Sequence, residues 1–396
     1  MLAYLSQGLS CAQFGVIAQP IQFFMMKGLE LSSAQVSSYM AIMMLPWVIK
    51  PLYGLISDYV PIFGYRRKSY LVISNAIAAM AFLTMLSSSN LIVILGSLMV
   101  TAISMAVATA LMCGLAVETG RSDGKVRLYF IIQEIAYYSA NILAGLIGGF
   151  LCQSMSPEKA LHTAAFIAII PLLLIAFCSA KLLQEKKSSI NIDAIRGTTN
   201  SLKQALGSRV LWLVALFSFL WSFLPCFGVP LYYYESKTLG FSQASIGQLA
   251  GWNAGGMLVA SLAYPFVMKL LPLRGQLYFT ALIISVSTLT YMGLNTTETA
   301  TVLEFFRGFA NLTAILSIYG LAADVCPKRI EVSIIALLVA IRNLASYAGT
   351  YAGGQLFTYV FPGDYSILVL VSAVLPAVTI LLVPAVCKWR SSEMVR

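Results

Sequence analysis

Apolar residues along this chain run in long blocks, with none of the strict alternation that marks half-buried strands. A helix needs about 20 consecutive apolar residues to cross the hydrocarbon core of a bilayer. Blocks of that order predict twelve spans, at 2–26, 35–57, 68–88, 91–118, 128–152, 160–183, 210–232, 242–268, 275–294, 299–323, 331–357 and 365–388. Most connections are short. The longest, 184–209, is polar, contains Gln184-Glu185-Lys186-Lys187 and falls between the sixth and seventh spans. The pattern therefore predicts an all-α membrane protein, with 12 transmembrane helices in two pseudo-symmetric six-helix bundles. Residues 1–183 form the first bundle, 184–209 a cytoplasmic central loop and 210–396 the second bundle. A transmembrane barrel is disfavoured, because its strands would alternate. The first apolar run lacks the form of a cleavable signal and is expected to stay as a span.

Composition agrees with this reading. The chain is 59% hydrophobic and 10% charged, against roughly 25% charged in soluble domains. The net charge of +10 would suggest nucleic acid in a soluble protein. Here its distribution gives another cause. With the N-terminus cytoplasmic, inner segments hold 19 Lys and Arg; outer loops hold three, Lys27, Lys159 and Lys237. The remaining three, Lys50, Arg307 and Arg342, lie inside spans. That asymmetry is the positive-inside pattern and places both termini in the cytoplasm, in a plasma or inner membrane. Seven cysteines are scattered without a CxxC pair, and there is one histidine. Neither a metal centre, a cofactor nor a hydrolytic site is expected from them. There is no Walker A motif to couple ATP directly.

One stretch departs from the apolar blocks. From Pro46 to Tyr70 the chain reads PWVIKPLYGLISDYVPIFGYRRKSY. Arg66, Arg67 and Lys68 are a topology anchor. Lys50, Gly54 and Asp58 recur every four residues and share one helix face. Gly54 is expected to admit a neighbouring helix. Asp58 is expected to act as a latch, taking hydrogen bonds from a helix N-terminus or pairing with an Arg of its loop. Pro46 and Pro51 each remove a backbone donor and predict a kink around Lys50. The eighth span leaves through PFVMKLLPLRG, a basic exit with Pro and Gly like that of the second span. With six spans on each side of a central loop, this suggests a transporter whose site lies between two repeats.

Gly-x3-Asp followed by a basic cluster resembles the loop signature of the major facilitator superfamily. The longer run LSSAQVSSYMAIMMLPWVIKPLYGLISDYVPIFGYRRKSYL is similar to the folate–biopterin transporter family. DVCPKRIEVSIIALLVAIRN resembles that family's segment between the tenth and eleventh spans; QGLSCAQFG and Gln133 fit more loosely. The resemblance implies a proton-coupled or uncoupled carrier of folates or pterins working by alternating access. S-adenosylmethionine is the competing solute, and a sensor without flux the competing class. Two departures stand out. Glu118 is kept late in the fourth span, but Cys113 stands where the family has an acid. LPCFGVP in the seventh span also lacks the family's Asp.

Ionisable residues within spans face a bundle interior or a wet cavity and are functional candidates. Lys50 either makes a structural ion pair or contacts substrate. Arg342, near the middle of the eleventh span, has Asn343 beside it and a small-residue seam of Ser346, Gly349 and Gly353 on its face. Its planar fork suits a carboxylate. Glu304 and Arg307, three apart, either neutralise each other or form a gate or proton switch. Glu134, beside Gln133, is a proton carrier or the partner of a cation. The candidate substrate contacts are Lys50, Arg342, Asn343, Gln133 and Arg307. The candidate coupling or gating residues are Asp58, Glu118, Glu134, Glu304, Arg66 and Arg67. Deep cations outnumber deep acids, which suits an anionic organic solute, carried by a monomer in the bilayer with protons as an optional partner. Tyr232, Tyr233 and Tyr234 are expected at the membrane interface. Gly145, Gly148 and Gly149 are expected at helix contacts, and His162 is expected to be incidental.

Overall fold

A computed structural model describes residues 1–122, 126–185, 187, 207, 209–325 and 331–393; its secondary structure is helical, with no strand among them. Helix occupies part or most of every apolar block. Six blocks are helices long and apolar enough to cross a membrane: Lys68–Leu86, Leu91–Leu115, Ile131–Ser154, Pro157–Leu182, Thr297–Ile318 and Tyr365–Ala385.

The first, second and seventh blocks are broken, and their sequences say why. The first comprises α1 (Leu2–Ser10) and α2 (Ala18–Phe23), with a π-helical turn at Phe24–Gly28. The second comprises α3 (Ser33–Met43), α4 (Leu45–Val48) and α5 (Lys50–Tyr59). Pro46 and Pro51 sit in the first turns of α4 and α5, where the missing N–H is not needed, so the kink around Lys50 is present. The long helices α6 (Lys68–Leu86), α7 (Leu91–Ser122), α8 (Val126–Ser154) and α9 (Pro157–Leu182) follow. In the seventh block α10 (Arg209–Ser222) stops ahead of Pro225, and α11 (Val229–Tyr233) restarts after Gly228. Gly228 has φ 75, a left-handed conformation that glycine adopts without strain. The remaining helices are α12 (Gln243–Leu270), α13 (Leu273–Leu289), α14 (Thr297–Val325), α15 (Glu331–Gln355) and α16 (Tyr365–Glu393).

The broken blocks also repeat. Pro20 and Pro230 hold equivalent places, near the start of α2 and of α11. After each proline come a short helix, a five-residue π-helical turn (24–28 and 234–238) and a new helix, α3 or α12, in the same register. Lys27 and Lys237 hold equivalent places. This repeat is stronger than the one visible at the exits of the second and eighth spans.

The chain divides into two compact units. One is Met1–Ser32, Ile42–Ile192 and Phe241–Leu258; the other is Ser33–Ala41, Asp193–Gly240 and Val259–Arg396. In the first, α6 packs on α7 and α9, and α1 on α8. Tyr4, Leu71, Ala108, Leu111, Met112 and Ala136 form a buried cluster there. Gly145 and Gly149 of α8 meet the backbone of Gly247 in α12, and Gly148 meets that of Val16. These glycines are helix-contact positions, as expected. In the second unit α13 packs on α14 and α16, and α10 on α15 and α16. Gly354 lies against Ser33 and Ser37 of α3, and Gln355 donates to Ser38 Oγ at 3.2 Å.

Two expectations are corrected. Among the described residues nothing lies within 4 Å of a Cβ built on Gly54, so Gly54 is not a close-approach position there. Tyr232 and Tyr233 are buried, and Tyr234 stacks on Tyr365 at 4.4 Å. The tyrosine run belongs to the core of its unit, because the turn of helix after Gly228 points it inward.

Candidate functional site

The basic cluster is held by a residue that sequence reasoning passed over. Phe63 and Gly64 both have positive φ, and Ile62 and Tyr65 exchange backbone hydrogen bonds of 3.1 and 3.0 Å. This tight turn presents the N-terminus of α6. There the Glu185 carboxylate accepts from the backbone N–H of Arg66 at 2.9 Å, Arg67 at 3.1 Å and Lys68 at 2.9 Å. An anion in that place satisfies orphan donors and meets the positive end of the helix dipole. The arrangement expected of Asp58, an acid on a helix N-terminus, is thus made by Glu185. The side chains of Asp58 and Glu118 lie outside the described residues, as do most of 184–209 and the Cys326–Ile330 segment. Arg67 is buried, donates to Ser57 Oγ at 3.1 Å and lies against Gly114 of α7, whereas Arg66 is exposed.

Lys50 opens α5, at the kink. Its Nζ stands 5.8 Å from the Trp47 ring centroid and within electrostatic reach of Cys11, in the break between α1 and α2. In the same unit Gln133 is buried, as are Gln7 of α1 and Asn141 of α8, and among the described residues each keeps a side-chain carbonyl oxygen without a partner. Gln133 and Asn141 are eight residues apart and share a face of α8. Unsatisfied buried acceptors are costly unless something donates to them, so these three amides are candidates to receive N–H groups of a ligand. Glu134 is half-buried beside Gln133. Cys113, where the family resemblance led to an acid, is 3.3 Å from the Tyr4 hydroxyl. Gln7 opens the QGLSCAQFG stretch that loosely resembles the family, whereas Asn141 carried no sequence signal beyond being polar in an apolar block.

In the second unit Arg342 of α15 donates to Asn343 Oδ1 at 3.2 Å. With Ser218, Trp221, Ile315, Ile318 and Leu338 it lines a narrow crevice of about 10 Å³. Among the described residues neither Trp221 Nε1 nor Ser222 Oγ has a hydrogen-bond partner. Whole-ligand sites run to roughly 300–1,000 Å³, so this crevice, with room for about one water, is not a whole-ligand site in this conformation.

Glu304 and Arg307 are brought together one turn apart on α14. Arg307 Nε lies 3.1 Å from Glu304 Oε2, and Nη2 bonds the same oxygen. The Tyr291 hydroxyl donates to Glu304 Oε1 at 2.6 Å and accepts from Arg307 Nε at 3.1 Å. Phe227, in the break of the seventh block, lies under the guanidinium at 4.6 Å. The mutual neutralisation allowed by the spacing is therefore present, and it occupies the Arg307 fork. Among the described residues no group of three or more His, Cys, Asp or Glu is placed to hold a metal.

The fold and the sequence each resemble known proteins. Among solved structures, the chain superposes on the D-xylose-proton symporter with a TM-score of 0.76, 15% identity and 96% and 95% of the two chains covered. It superposes on the nucleoside transporter NupG with a TM-score of 0.68, 13% identity and 98% and 97% covered. These likenesses establish that the chain shares the fold of those two proteins. In sequence it is 26% identical over 375 residues to the folate-biopterin transporter of Synechocystis sp., covering 91% of this chain and 74% of that one. It is also 26% identical over 333 residues to folate transporter 2 of Plasmodium falciparum, covering 80% and 71%. The model of the BT1 family matches residues 12–390, nearly the whole length, and the chain belongs to the BT1 family.

Proposed function

We propose that this protein is a secondary transporter that carries folate- or pterin-type solutes across a membrane by alternating access, with proton coupling. The observation that carries the reading is full-length similarity to a folate-biopterin transporter, within a family match from residue 12 to residue 390. The residues support it in kind. A pteridine offers N–H donors and ring oxygens, and a folate adds carboxylates. Gln7, Gln133 and Asn141 are acceptors in one unit, and Lys50 is its deep cation. Arg342, Asn343 and the Trp221 indole N–H supply donors in the other. The positive-inside asymmetry supports cytoplasmic termini in a plasma or inner membrane. A monomer with an anionic substrate completes the reading.

The test is equilibrium binding of folate, biopterin and S-adenosylmethionine to purified protein and to Lys50→Gln, Arg342→Gln and Arg342→Lys. A hydrogen bond to a charged group contributes about 1.5–3 kcal/mol, so each loss should weaken folate binding roughly 10- to 100-fold. Arg342→Lys should recover only part of it, since a point charge cannot reproduce a bidentate fork. Biopterin, without a carboxylate, should suffer less. Tightest binding of S-adenosylmethionine would transfer the reading to that solute. Binding without flux in proteoliposomes would make the protein a sensor.

A further inference from the structure

The second unit buries an acid that nothing so far has used. Glu235 lies in the π-helical turn after α11 and is 4% exposed. Glu304, also buried, and Arg307 are the charged groups within its electrostatic reach. Tyr291, from the end of α13, and Tyr365, from the start of α16, lie close enough to feel its charge. Helix α15, which packs on α11, adds no charge to this environment among the described residues.

The bonding around these groups is unequal. Glu304 receives the Tyr291 hydroxyl and two Arg307 nitrogens, so the Glu304–Arg307 pair is saturated and neutral. Among the described residues the Glu235 carboxyl has neither a hydrogen-bond donor nor an ion-pair partner of its own. An isolated buried carboxylate is expensive, and such a group stays neutral by keeping its proton. The edge of the cluster reaches the surface through Arg307, whose side chain is 24% exposed.

The internal repeat shows that the fold does not require these charges. Glu235 is five residues after Pro230, and its equivalent after Pro20 is Met25. Glu304 and Arg307 follow the start of α14 by seven and ten residues; the same steps from the start of α7 reach Leu98 and Thr101. Tyr291 precedes α14 by six residues, as Met85 precedes α7. Met25, Met85, Leu98 and Thr101 are all buried, at 1% exposure or less, and none of them is ionisable. The architecture needs bulk at these four positions, and only the second half has placed an ionisable cluster there.

We propose that Glu235 is a proton-binding site: its carboxylate takes up one proton to become a neutral acid in the closed cluster, and releases it when the cluster opens. The ionised Glu235 competes with Glu304 for Arg307, and this competition moves the segment Phe227–Glu235 relative to α14. The proposal rests on the transporter reading for its role, but the protonation state can be measured without any substrate.

Infrared difference spectra of the purified protein, between neutral and alkaline pH, should show a protonated-carboxyl C=O band. Glu235→Gln and Glu235→Met should lose it. The second variant copies Met25 and so preserves the fold. Glu304→Gln should also lose the band, because Arg307 becomes free to ionise Glu235. A parent without the band at neutral pH, or a band that survives in both Glu235 variants, overturns the proposal. In proteoliposomes with the membrane potential clamped, one symported proton supports about tenfold accumulation of biopterin per pH unit. Glu235→Gln should fall to equilibration while retaining counterflow. Counterflow in the parent with no response to the pH gradient would sink the proton site alone. Absence of any flux, with the band present, would sink the transporter reading and leave the proton site standing.

Discussion

The contact between α8 and α12 is the most sharply testable feature of the first unit. A Cβ added at Gly247 would stand 2.6 Å from Gly149 Cα and 2.9 Å from Gly149 N, and it would also strike the Gly145 carbonyl oxygen. These are backbone atoms, so no side chain can rotate away. Ordinary contact begins near 3.4 Å, so Gly247→Ala must part the two helices by roughly 0.8 Å. Overpacking of this kind costs about 1–3 kcal/mol. Alanine also favours the helix over glycine by about 1 kcal/mol, which would blur the measurement. The same helix supplies a control, because nothing lies within 4 Å of a Cβ at Gly255. Gly255→Ala should take the propensity gain without the clash. The difference between the two variants then isolates the contact, at about 1–3 kcal/mol. For a unit of this size each kcal/mol shifts a melting midpoint by about 2–4 °C. Thermal unfolding in detergent should therefore place Gly247→Ala several degrees below Gly255→Ala. A spin-label pair on α8 and α12 should report a wider separation. Equal midpoints and an unchanged distance would show that α12 does not rest on α8 backbone to backbone.

The remaining predictions concern the basic loop and its surroundings. Glu185→Ala removes the acceptor of three N–H groups at the start of α6 and should lower stability by about 0.5–2 kcal/mol, read as a lower melting midpoint, with Glu185→Gln recovering part of it. Asp58→Asn should leave folding and insertion intact but slow exchange in proteoliposomes, because a neutral amide weakens a charge-assisted contact; parent-like rates would reduce Asp58 to a topology residue. A cysteine at Ser188 should react with a membrane-impermeant reagent only from the cytoplasmic side, and labelling from outside would invert the topology.

The class of this protein was legible from the chain alone, because a bilayer imposes rules that act locally. Backbone groups in lipid must be satisfied within the segment. Each span is therefore written as a contiguous apolar block. Pro46 and Pro51 announced the kink at Lys50, and Gly145, Gly148 and Gly149 announced helix contacts, since proline and small residues act through their own backbone. The 50–70 motif carried the family for the same reason: its residues are neighbours in sequence. What tertiary structure decided is what depends on partners far along the chain. Glu185 caps a helix that begins 117 residues earlier, and nothing in its local sequence reveals that destination. Gly54 looked like a packing glycine yet faces open space, because periodicity gives a face but not its neighbour. Tyr232 and Tyr233 looked interfacial and are core, because the break at Gly228 redirects the helix that carries them. Glu235 lies three residues beyond the seventh predicted span, and its local sequence gives it no distinguishing mark. Only the folding of α13, α14 and α16 around that turn buries its carboxyl beside a pair already neutralised, and burial without a partner is what gives an acid its chemistry.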